Sequence, residues 1–351
     1  MSDDKRALAL DYMPQLDALR AISILMVLYS HYWDDGSIAG SVGVRVFFVL
    51  SGFLITDILL SARAADRALT TPPRHLLNFF VRRALRLWPA YFLVLGVLLA
   101  ANTHNIRSVA PWHLFFASNI LFALRNDYVP WVTAAWWSLS VEEQFYVIWP
   151  FLILLPPRNW LKWLVGAVIV LGTSWHIAMA RIGNDDFSAY FLLPASLDAL
   201  AAGAALALAW KRVALRSLYI VGALSLLPIA ALVRIGSFGW ETEAFSVVTM
   251  TALVAACAQG IKGRIGSALE WRPLRLLGRI SYGVYLYHLI VLAIYLRLFA
   301  RFGAHVGPLA FVVCGLSVIA LATVSWVLVE RPINGLKRRF PLRDREVPLA
   351  G

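Results

Sequence analysis

Apolar stretches of helical length recur along the chain from residue 16 to residue 329, with short polar breaks between them. About 20 apolar residues are what an α-helix needs to cross a bilayer. The composition agrees with this pattern, since 60% of the 351 residues are hydrophobic and 15% are charged, whereas soluble domains have about 25% charged residues. The sequence therefore predicts an all-α fold, a polytopic membrane helix bundle.

Eleven segments are candidates for spanning helices, and one of them departs from the pattern. The segment 111–124 is too short to cross and includes Pro111, His113 and Asn119, so we predict one short interfacial or re-entrant helix there. The other segments, about ten transmembrane helices, cover residues 16–34, 43–61, 86–103, 136–155, 160–180, 188–210, 217–234, 243–261, 276–300 and 307–329.

The positions of the Lys and Arg residues predict the orientation of these spans. Cytoplasmic loops of membrane proteins carry an excess of basic residues, and ten spans gather most of this chain's Lys and Arg residues on the side of its N-terminus. We therefore expect a single membrane domain over residues 1–351, in the inner (plasma) membrane. Residues 1–15 and the basic tail 331–351 are both expected in the cytoplasm.

The formal net charge of +12 raises the question of a polyanionic partner. The basic residues lie next to apolar spans, where they act as topology signals and contact anionic headgroups or phosphorylated ligands. We therefore expect membrane lipids, and no nucleic acid, as partners. Cys257 and Cys314 fall inside apolar segments, so they provide neither a disulfide framework nor the spacing of metal ligands.

The first span carries an arginine and a histidine inside an apolar helix. Arg20 and His31 are eleven residues apart, which places them on one helix face, about 16 Å apart along the axis. Asp17 lies three residues before Arg20 and can reach it on the helix surface. Ionisable side chains at membrane depth mark functional sites. The alternatives are a snorkelling arginine held by Asp17 and a histidine hydrogen-bonded to a neighbouring helix.

The stretch WWSLSVEEQFYVIWP, residues 136–150, is the most polar one at membrane depth. It descends from the outer side in the ten-span arrangement, which places Glu142 at a depth similar to that of His31. A carboxylate beside a histidine fixes its tautomer and stabilises the imidazolium, as a general base requires. We therefore predict that Glu142 orients His31. The alternative is a structural role, in which Glu142 and Glu143 bond to Arg45 or to Trp side chains.

A basic cluster precedes the third span. Arg82, Arg83 and Arg86 lie just before an apolar stretch that opens near Pro89. Clustered guanidinium groups bind phosphate oxygens bidentately, so the cluster suits the phosphates of a cosubstrate. The alternative is a face that binds lipid headgroups.

Five other residues stand out inside apolar segments. Ser51 and Gly52 lie at mid-depth of the second span, where small residues favour close helix approach. Asp198 and His288 favour hydrogen bonds inside the bundle. His176 has no polar neighbours in sequence, and we predict a structural role for it.

The chain resembles the acyltransferase type 3 family of integral-membrane O-acyltransferases. The resemblance covers nearly the whole chain, and the matching runs follow the family's order. By match, Arg20 and His31 correspond to the essential pair of the family, and Glu142 and Tyr146 belong to its SLxxExxFY stretch. The runs are LDALRAISILMVLYSHYW, GVRVFFVLSGFLIT, RRALRLWPAYF, WSLSVEEQFYVIWP, LDALAAGAAL, ISYGVYLYH and ERPI.

The resemblance implies a membrane O-acyltransferase that moves an acyl group, commonly acetyl, from acyl-coenzyme A to a hydroxyl of a cell-surface glycan, glycolipid or related acceptor. Acetyl-coenzyme A would be a cosubstrate, and no cofactor would be bound permanently. If coenzyme A stays in the cytoplasm, its pantetheine arm would pass Arg20 and bring the thioester near His31. The alternative is a non-catalytic transporter or flippase, since intramembrane charges also mark transport paths.

The predicted site residues fall into three groups. His31 is the general base or nucleophile and acts with the two other catalytic residues, Arg20 and Glu142. The residues predicted to bind acyl-coenzyme A are Arg82, Arg83, Arg86 and Ser51. Those predicted to bind the acceptor are Arg45, Ser138, Tyr146 and Asp198.

Overall fold

The computed structural model describes residues 12–65, 72–183, 190–234 and 240–341. Within these ranges every regular element is a helix, which confirms the all-α prediction. Short 3-10 and π turns link or extend several helices. The α-helices in chain order are α1 Pro14–Tyr32, α2 Ala39–Ala65, α3 Pro72–Ala101, α4 Ala110–Leu114, α5 Ser118–Arg125, α6 Trp136–Leu154, α7 Leu161–Arg181, α8 Leu197–Ala209, α9 Leu215–Arg234, α10 Trp240–Gln259, α11 Gly263–Leu269, α12 Arg272–Leu298, α13 Pro308–Ser325 and α14 Arg331–Gly335.

Six helices of the described ranges are long and apolar enough to cross a membrane. Their apolar parts are Ala39–Ala64, Leu76–Ala101, Arg158–Arg181, Glu241–Gln259, Arg272–Leu298 and Pro308–Arg339. The helices α1 and α6, which carry the ionisable candidates, are not among them, and α8 and α9 contain shorter apolar stretches. A membrane protein is thus supported, and the count of about ten spans stays a prediction.

The two helices with the ionisable candidates pack against the interior of the bundle. Helix α1 contacts α2, α12 and α13, and α6 contacts α2. Among the six apolar helices, α2 and α12 are the most buried and α7 is the least. The polar residues of α1 and α6 therefore face the protein interior. Apolar side chains form the outer surface of the bundle, as expected for a bundle in lipid.

Helices α2 and α8 cross at two glycines. A Cβ atom on Gly52 would lie 1.8 Å from the carbonyl oxygen of Leu200, and one on Gly203 would lie 2.0 Å from that of Val49. Real Cβ contacts are essentially never closer than 3.0 Å. The two backbones therefore touch only because both positions lack a side chain, which confirms the close helix approach predicted at Gly52.

The segment 111–124, which was not expected to span the membrane, contains two short helices. Helices α4 and α5 are separated by Phe116, which has a φ of +51°, and the Phe116 ring stacks on that of Tyr91 at 4.5 Å. The prediction that 111–124 is not a spanning helix is therefore confirmed. His113 is fully buried in this segment, and desolvation lowers its pKa to about 4, so the imidazole is neutral at neutral pH.

Two predicted boundaries are wrong. Helix α3 is continuous over Pro72–Ala101 and runs through Pro89, so the basic cluster lies on the helix rather than before it. The predicted span 188–210 is interrupted by a 3-10 turn over Leu193–Ser196 that contains a proline, and part of it lies outside the described residues. Of the two predicted cytoplasmic ends, residues 1–11 and 342–351 also lie outside them.

Candidate active site

A cavity between α1, α2, α3, α6 and α12 brings most of the predicted site residues together. We call it the Glu142 cavity. Its polar lining comes from five separate helices, which explains why the residues are scattered in the sequence. The predicted residues that line it are Arg20, Ser51, Arg83, Arg86, Ser138, Glu142 and Tyr146.

The Glu142 carboxylate is held by hydroxyl groups. The Ser51 hydroxyl donates to Glu142 Oε1 at 2.6 Å, and the Tyr146 hydroxyl donates to Ser51 Oγ at 3.1 Å. Arg83 lies over the ring of Tyr146, with its Cζ atom 5.0 Å from the ring centroid. The three helices α2, α3 and α6 are thus joined at the cavity by a chain of polar contacts, which fixes the positions of its members.

Arg20 pairs with Asp17, as the spacing of the two residues in the sequence predicted. Its Nη1 atom donates to Asp17 Oδ1 at 3.0 Å, one turn earlier on α1. Asp17 also accepts a hydrogen bond from the Tyr12 hydroxyl at 2.8 Å. Because Arg20 still lines the Glu142 cavity, the ion pair positions its guanidinium there.

His31 is oriented by the backbone of its own helix. Its Nδ1 atom lies 2.9 Å from the carbonyl oxygen of Val27. A carbonyl only accepts, so Nδ1 carries a hydrogen, and in the neutral ring Nε2 then keeps its lone pair. The ring of His288 packs edge-on against His31, with centroids 4.9 Å apart. A neutral imidazole with a free Nε2 is the form that a general base or a nucleophile needs.

His31 faces a second cavity, the His31 cavity. Its lining includes Asp35 and Ser41 as polar groups, together with several aromatic side chains from other helices. Val44 and Tyr285 border both this cavity and the Glu142 cavity. The two cavities therefore meet at these two side chains.

The boundary between the cavities contains a hydroxyl pair. The oxygens of Ser138 and Tyr285 lie 2.6 Å apart, and the Tyr285 hydroxyl also donates to the carbonyl of Ala135 at 2.9 Å. Ser138 lines the Glu142 cavity, whereas Tyr285 borders both. Polar atoms thus connect the two sides across the boundary.

The predicted pairing of Glu142 with His31 is wrong in this structure. Glu142 accepts its hydrogen bond from Ser51 and His31 is held by Val27, and the two side chains line different cavities. The reason is depth. Glu142 lies six residues inside α6, which begins at Trp136, or about 9 Å along the axis. His31, in contrast, is the residue before the last of α1.

A basic pocket adjoins the Glu142 cavity. It is lined by Arg82, Arg83, Arg86 and Lys337, with Ile58 and Phe79 as its apolar walls. Arg83 and Arg86 line both this pocket and the Glu142 cavity. Lys337 was not among the predicted site residues, because nothing in the run LKRRF distinguishes one of its basic residues from the others.

Arg45 and Asp198 line none of these three cavities, and they pair with each other. Arg45 Nη1 contacts both carboxylate oxygens of Asp198 at 3.0 Å, and its Nε contacts Glu243 Oε2 at 2.6 Å. His176 Nε2 lies 3.3 Å from Arg45 Nη2, in agreement with its predicted structural role. Glu243 was missed. Acceptor binding by Arg45 and Asp198 stays a prediction, and their contacts indicate a role in joining four helices.

Comparison with known proteins gives a family match and several relatives. An acyltransferase domain family matches residues 13–327. The YrhL protein of Bacillus subtilis is 32% identical over 92% of this chain and 55% of its own length. The peptidoglycan O-acetyltransferase OatA of Listeria monocytogenes is 29% identical over 79% of this chain and 49% of its own length.

A further relative extends the same comparison. The O-acetyltransferase OatA of Staphylococcus aureus is 27% identical over 92% of this chain and 57% of its own length. The chain thus spans about half the length of the curated relatives that it matches. No solved structure matches it.

Proposed function

This chain belongs to the acyltransferase domain family, and we propose that it transfers an acetyl group from acetyl-coenzyme A to a hydroxyl of a cell-envelope glycan. Peptidoglycan is the acceptor named for the Listeria relative, and it is an example of the polymer class that we propose as acceptor. Coenzyme A would be a cosubstrate that binds and leaves in each turnover.

The observation that carries the proposal is the series of three adjoining cavities. The basic pocket shares Arg83 and Arg86 with the Glu142 cavity, which in turn meets the His31 cavity at Val44 and Tyr285. Guanidinium groups bind phosphate oxygens, so the phosphorylated head of coenzyme A fits the basic end. An extended thioester arm would then lie in the Glu142 cavity and point toward His31.

The proposed reaction takes place where the cavities meet. His31 Nε2 removes the proton from the acceptor hydroxyl, and the oxygen attacks the thioester carbonyl. The C–S bond breaks, the thiolate of coenzyme A takes up a proton, and the new ester leaves through the His31 cavity. A base positioned in this way contributes about 10²–10⁴-fold to the rate. Val27 orients the base, since its carbonyl fixes the hydrogen on Nδ1.

The residues of the Glu142 cavity receive positioning roles in this proposal. Arg20, held by Asp17, would lie beside the thioester arm. Glu142 would hold Ser51 and Tyr146 in place, and through them the wall along which the arm lies. Glu142 then has no direct part in the proton transfer to or from His31.

We also propose the ten-span arrangement in the inner membrane, with both ends in the cytoplasm and the whole chain as one membrane domain. The basic pocket then faces the cytoplasm, where acetyl-coenzyme A is found, and the His31 cavity faces outward. A cysteine placed at Arg125 should react with an impermeant reagent from outside, and one at Arg212 only from inside. Reaction at position 125 from inside only would contradict this orientation.

The activity is tested with the full chain purified into lipid nanodiscs. The purified protein is supplied with acetyl-coenzyme A labelled in the acetyl group and with peptidoglycan fragments, and ester-linked label is measured on the glycan. We expect label on the fragments with wild-type protein and about 10²–10⁴-fold less with His31→Ala. Binding of coenzyme A without any transfer, together with movement of an envelope precursor across vesicles, would instead indicate a transporter.

A further inference from the structure

The segment that follows α14, residues 336–341, is held on α3 by hydrogen bonds, which we call the clasp. The guanidinium of Arg82 donates through Nη1 to the carbonyl oxygens of Lys337 at 3.0 Å and Phe340 at 3.2 Å. The buried amide of Asn78 donates to the carbonyl of Pro341 at 2.6 Å. Both donors lie on α3 and both bind backbone, so they fix the course of the segment whatever its side chains are.

The clasp places a single side chain of the segment in the basic pocket. Lys337 is half-buried and lines the pocket beside Arg83 and Arg86. Arg338 and Arg339, its neighbours in the same turn, are exposed. The three adjacent cations are therefore not equivalent, and one of them has a different environment.

The basic pocket carries more positive charge than the neighbouring carboxylates neutralise. Its four polar lining groups are all cations, and its other two lining residues are apolar. The carboxylates of Glu142, Glu143 and Glu330 act on Arg83 and Arg86 from beyond the pocket. None of the three lines the pocket, so its four cationic groups lie together with no anion among them. Partly buried like charges repel at short range, so the arrangement is stabilised by an anion.

We propose that Lys337 is a phosphate ligand that completes the donor site, and that Arg82 is a positioning residue that holds the segment carrying it. This inference rests on the proposed function, because it assigns part of the basic cluster to phosphate binding and Arg82 to holding the segment in place. Arg83, Arg86 and Lys337 would contact phosphate oxygens, while Arg82 binds the backbone. The ligand chemistry is a compact group of phosphates, as in the 3′-phosphate and pyrophosphate of coenzyme A. A lipid phosphate offers the same oxygens.

The test measures the dissociation constant of coenzyme A for the full chain in nanodiscs of zwitterionic phosphatidylcholine. Removing one charge-assisted contact costs about tenfold or more in affinity, so Lys337→Met should weaken binding by about that factor. Lys337→Arg should restore it within about twofold. Arg339→Met is the matched control, because it removes an exposed cation two residues away, and it should leave the constant unchanged.

A second readout isolates the clasp. Trypsin cuts after Lys337 only when this side chain leaves the pocket, so coenzyme A should slow that cut in the wild-type protein. Arg82→Gln should speed it, because the segment loses its backbone anchor. Equal cleavage in Arg82→Gln and wild type would contradict the positioning role.

Three results would overturn the inference, and they are distinct from a failure of the proposed function. An unchanged constant in Lys337→Met, or an equal loss in Arg339→Met, would remove Lys337 from the site. Displacement of coenzyme A by added phosphatidylglycerol but not by inorganic pyrophosphate would assign the pocket to lipid headgroups. If the wild-type protein binds no coenzyme A, the proposed donor fails. The pocket is then tested with pyrophosphate alone, for which Lys337→Met must still bind more weakly.

Discussion

Substitution of Gly52 by alanine tests the crossing of α2 and α8 and its link to the site. The new Cβ would lie 1.8 Å from the Leu200 carbonyl oxygen and 2.7 Å from its carbon. A backbone atom cannot rotate away as a side chain can, so the helices must separate by about 1 Å or more. Overpacking of this kind costs about 1–3 kcal/mol. The neighbouring Ser51 moves with α2, which lengthens its 2.6 Å hydrogen bond to Glu142.

The assay is thermal unfolding of the purified protein, followed by the KM for acetyl-coenzyme A. At about 2 °C per kcal/mol for a chain of this size, Gly52→Ala should lower Tm by about 2–6 °C and raise KM. Gly96→Ala is the control, because no atom lies within 4 Å of its Cβ and alanine favours a helix. Gly203→Ala should lower the free energy of unfolding less when it is added to Gly52→Ala than when it is made alone, because one separation of the two helices relieves both contacts. A Tm for Gly52→Ala within 1 °C of that of Gly96→Ala would refute the reasoning.

Three further predictions concern the site and its support. His31→Ala should reduce transfer by about 10²–10⁴-fold without changing the dissociation constant of coenzyme A, and retention of most activity would reject His31 as the base. Glu142→Gln should raise the KM for acetyl-coenzyme A more than it lowers kcat, while Glu143→Gln should change neither, and equal effects of the two would contradict the positioning role. Arg45→Gln leaves the buried carboxylate of Asp198 without its arginine and should cost about 3 kcal/mol in unfolding free energy. Part of that loss should return when Asp198→Asn is added, as measured by denaturant titration, and a double variant no more stable than Arg45→Gln would argue against the ion pair.

The sequence predicted features that depend on one helix or on residue size. The helical class, the pairing of Asp17 with Arg20 and the close approach at Gly52 all belong to this group. So does the broken segment 111–124, since its length and its proline already argue against a span. These features need no knowledge of which helix lies beside which.

The sequence did not predict contacts between helices. Glu142 and His31 were placed at one depth by counting spans, but the depth of each depends on where α6 and α1 begin and end, and those boundaries are set by packing. Arg45 was expected to meet Glu142 or Glu143 as one alternative, and it pairs with Asp198 because α2 lies against α8. No pattern within a single helix contains that information.

The boundary at Val44 and Tyr285 gives the proposed reaction an electrical consequence. Acetyl-coenzyme A and coenzyme A would stay on one side of the membrane, while the hydroxyl and its ester would stay on the other. The acetyl group therefore crosses formally as an acylium cation. If the proton taken by His31 leaves outward, each turnover moves one positive charge out, against a potential worth about 2.3 kcal/mol per 100 mV.

The alternative is that the proton returns inward to the thiolate, and turnover is then electroneutral. The hydroxyls of Ser138 and Tyr285, 2.6 Å apart at the boundary, are polar atoms along which such a return could run. A potential imposed across proteoliposomes distinguishes the two routes. A rate that falls as the outside becomes more positive means that charge moves with the acetyl group, and a constant rate means that a proton crosses inward for every acetyl group that crosses outward.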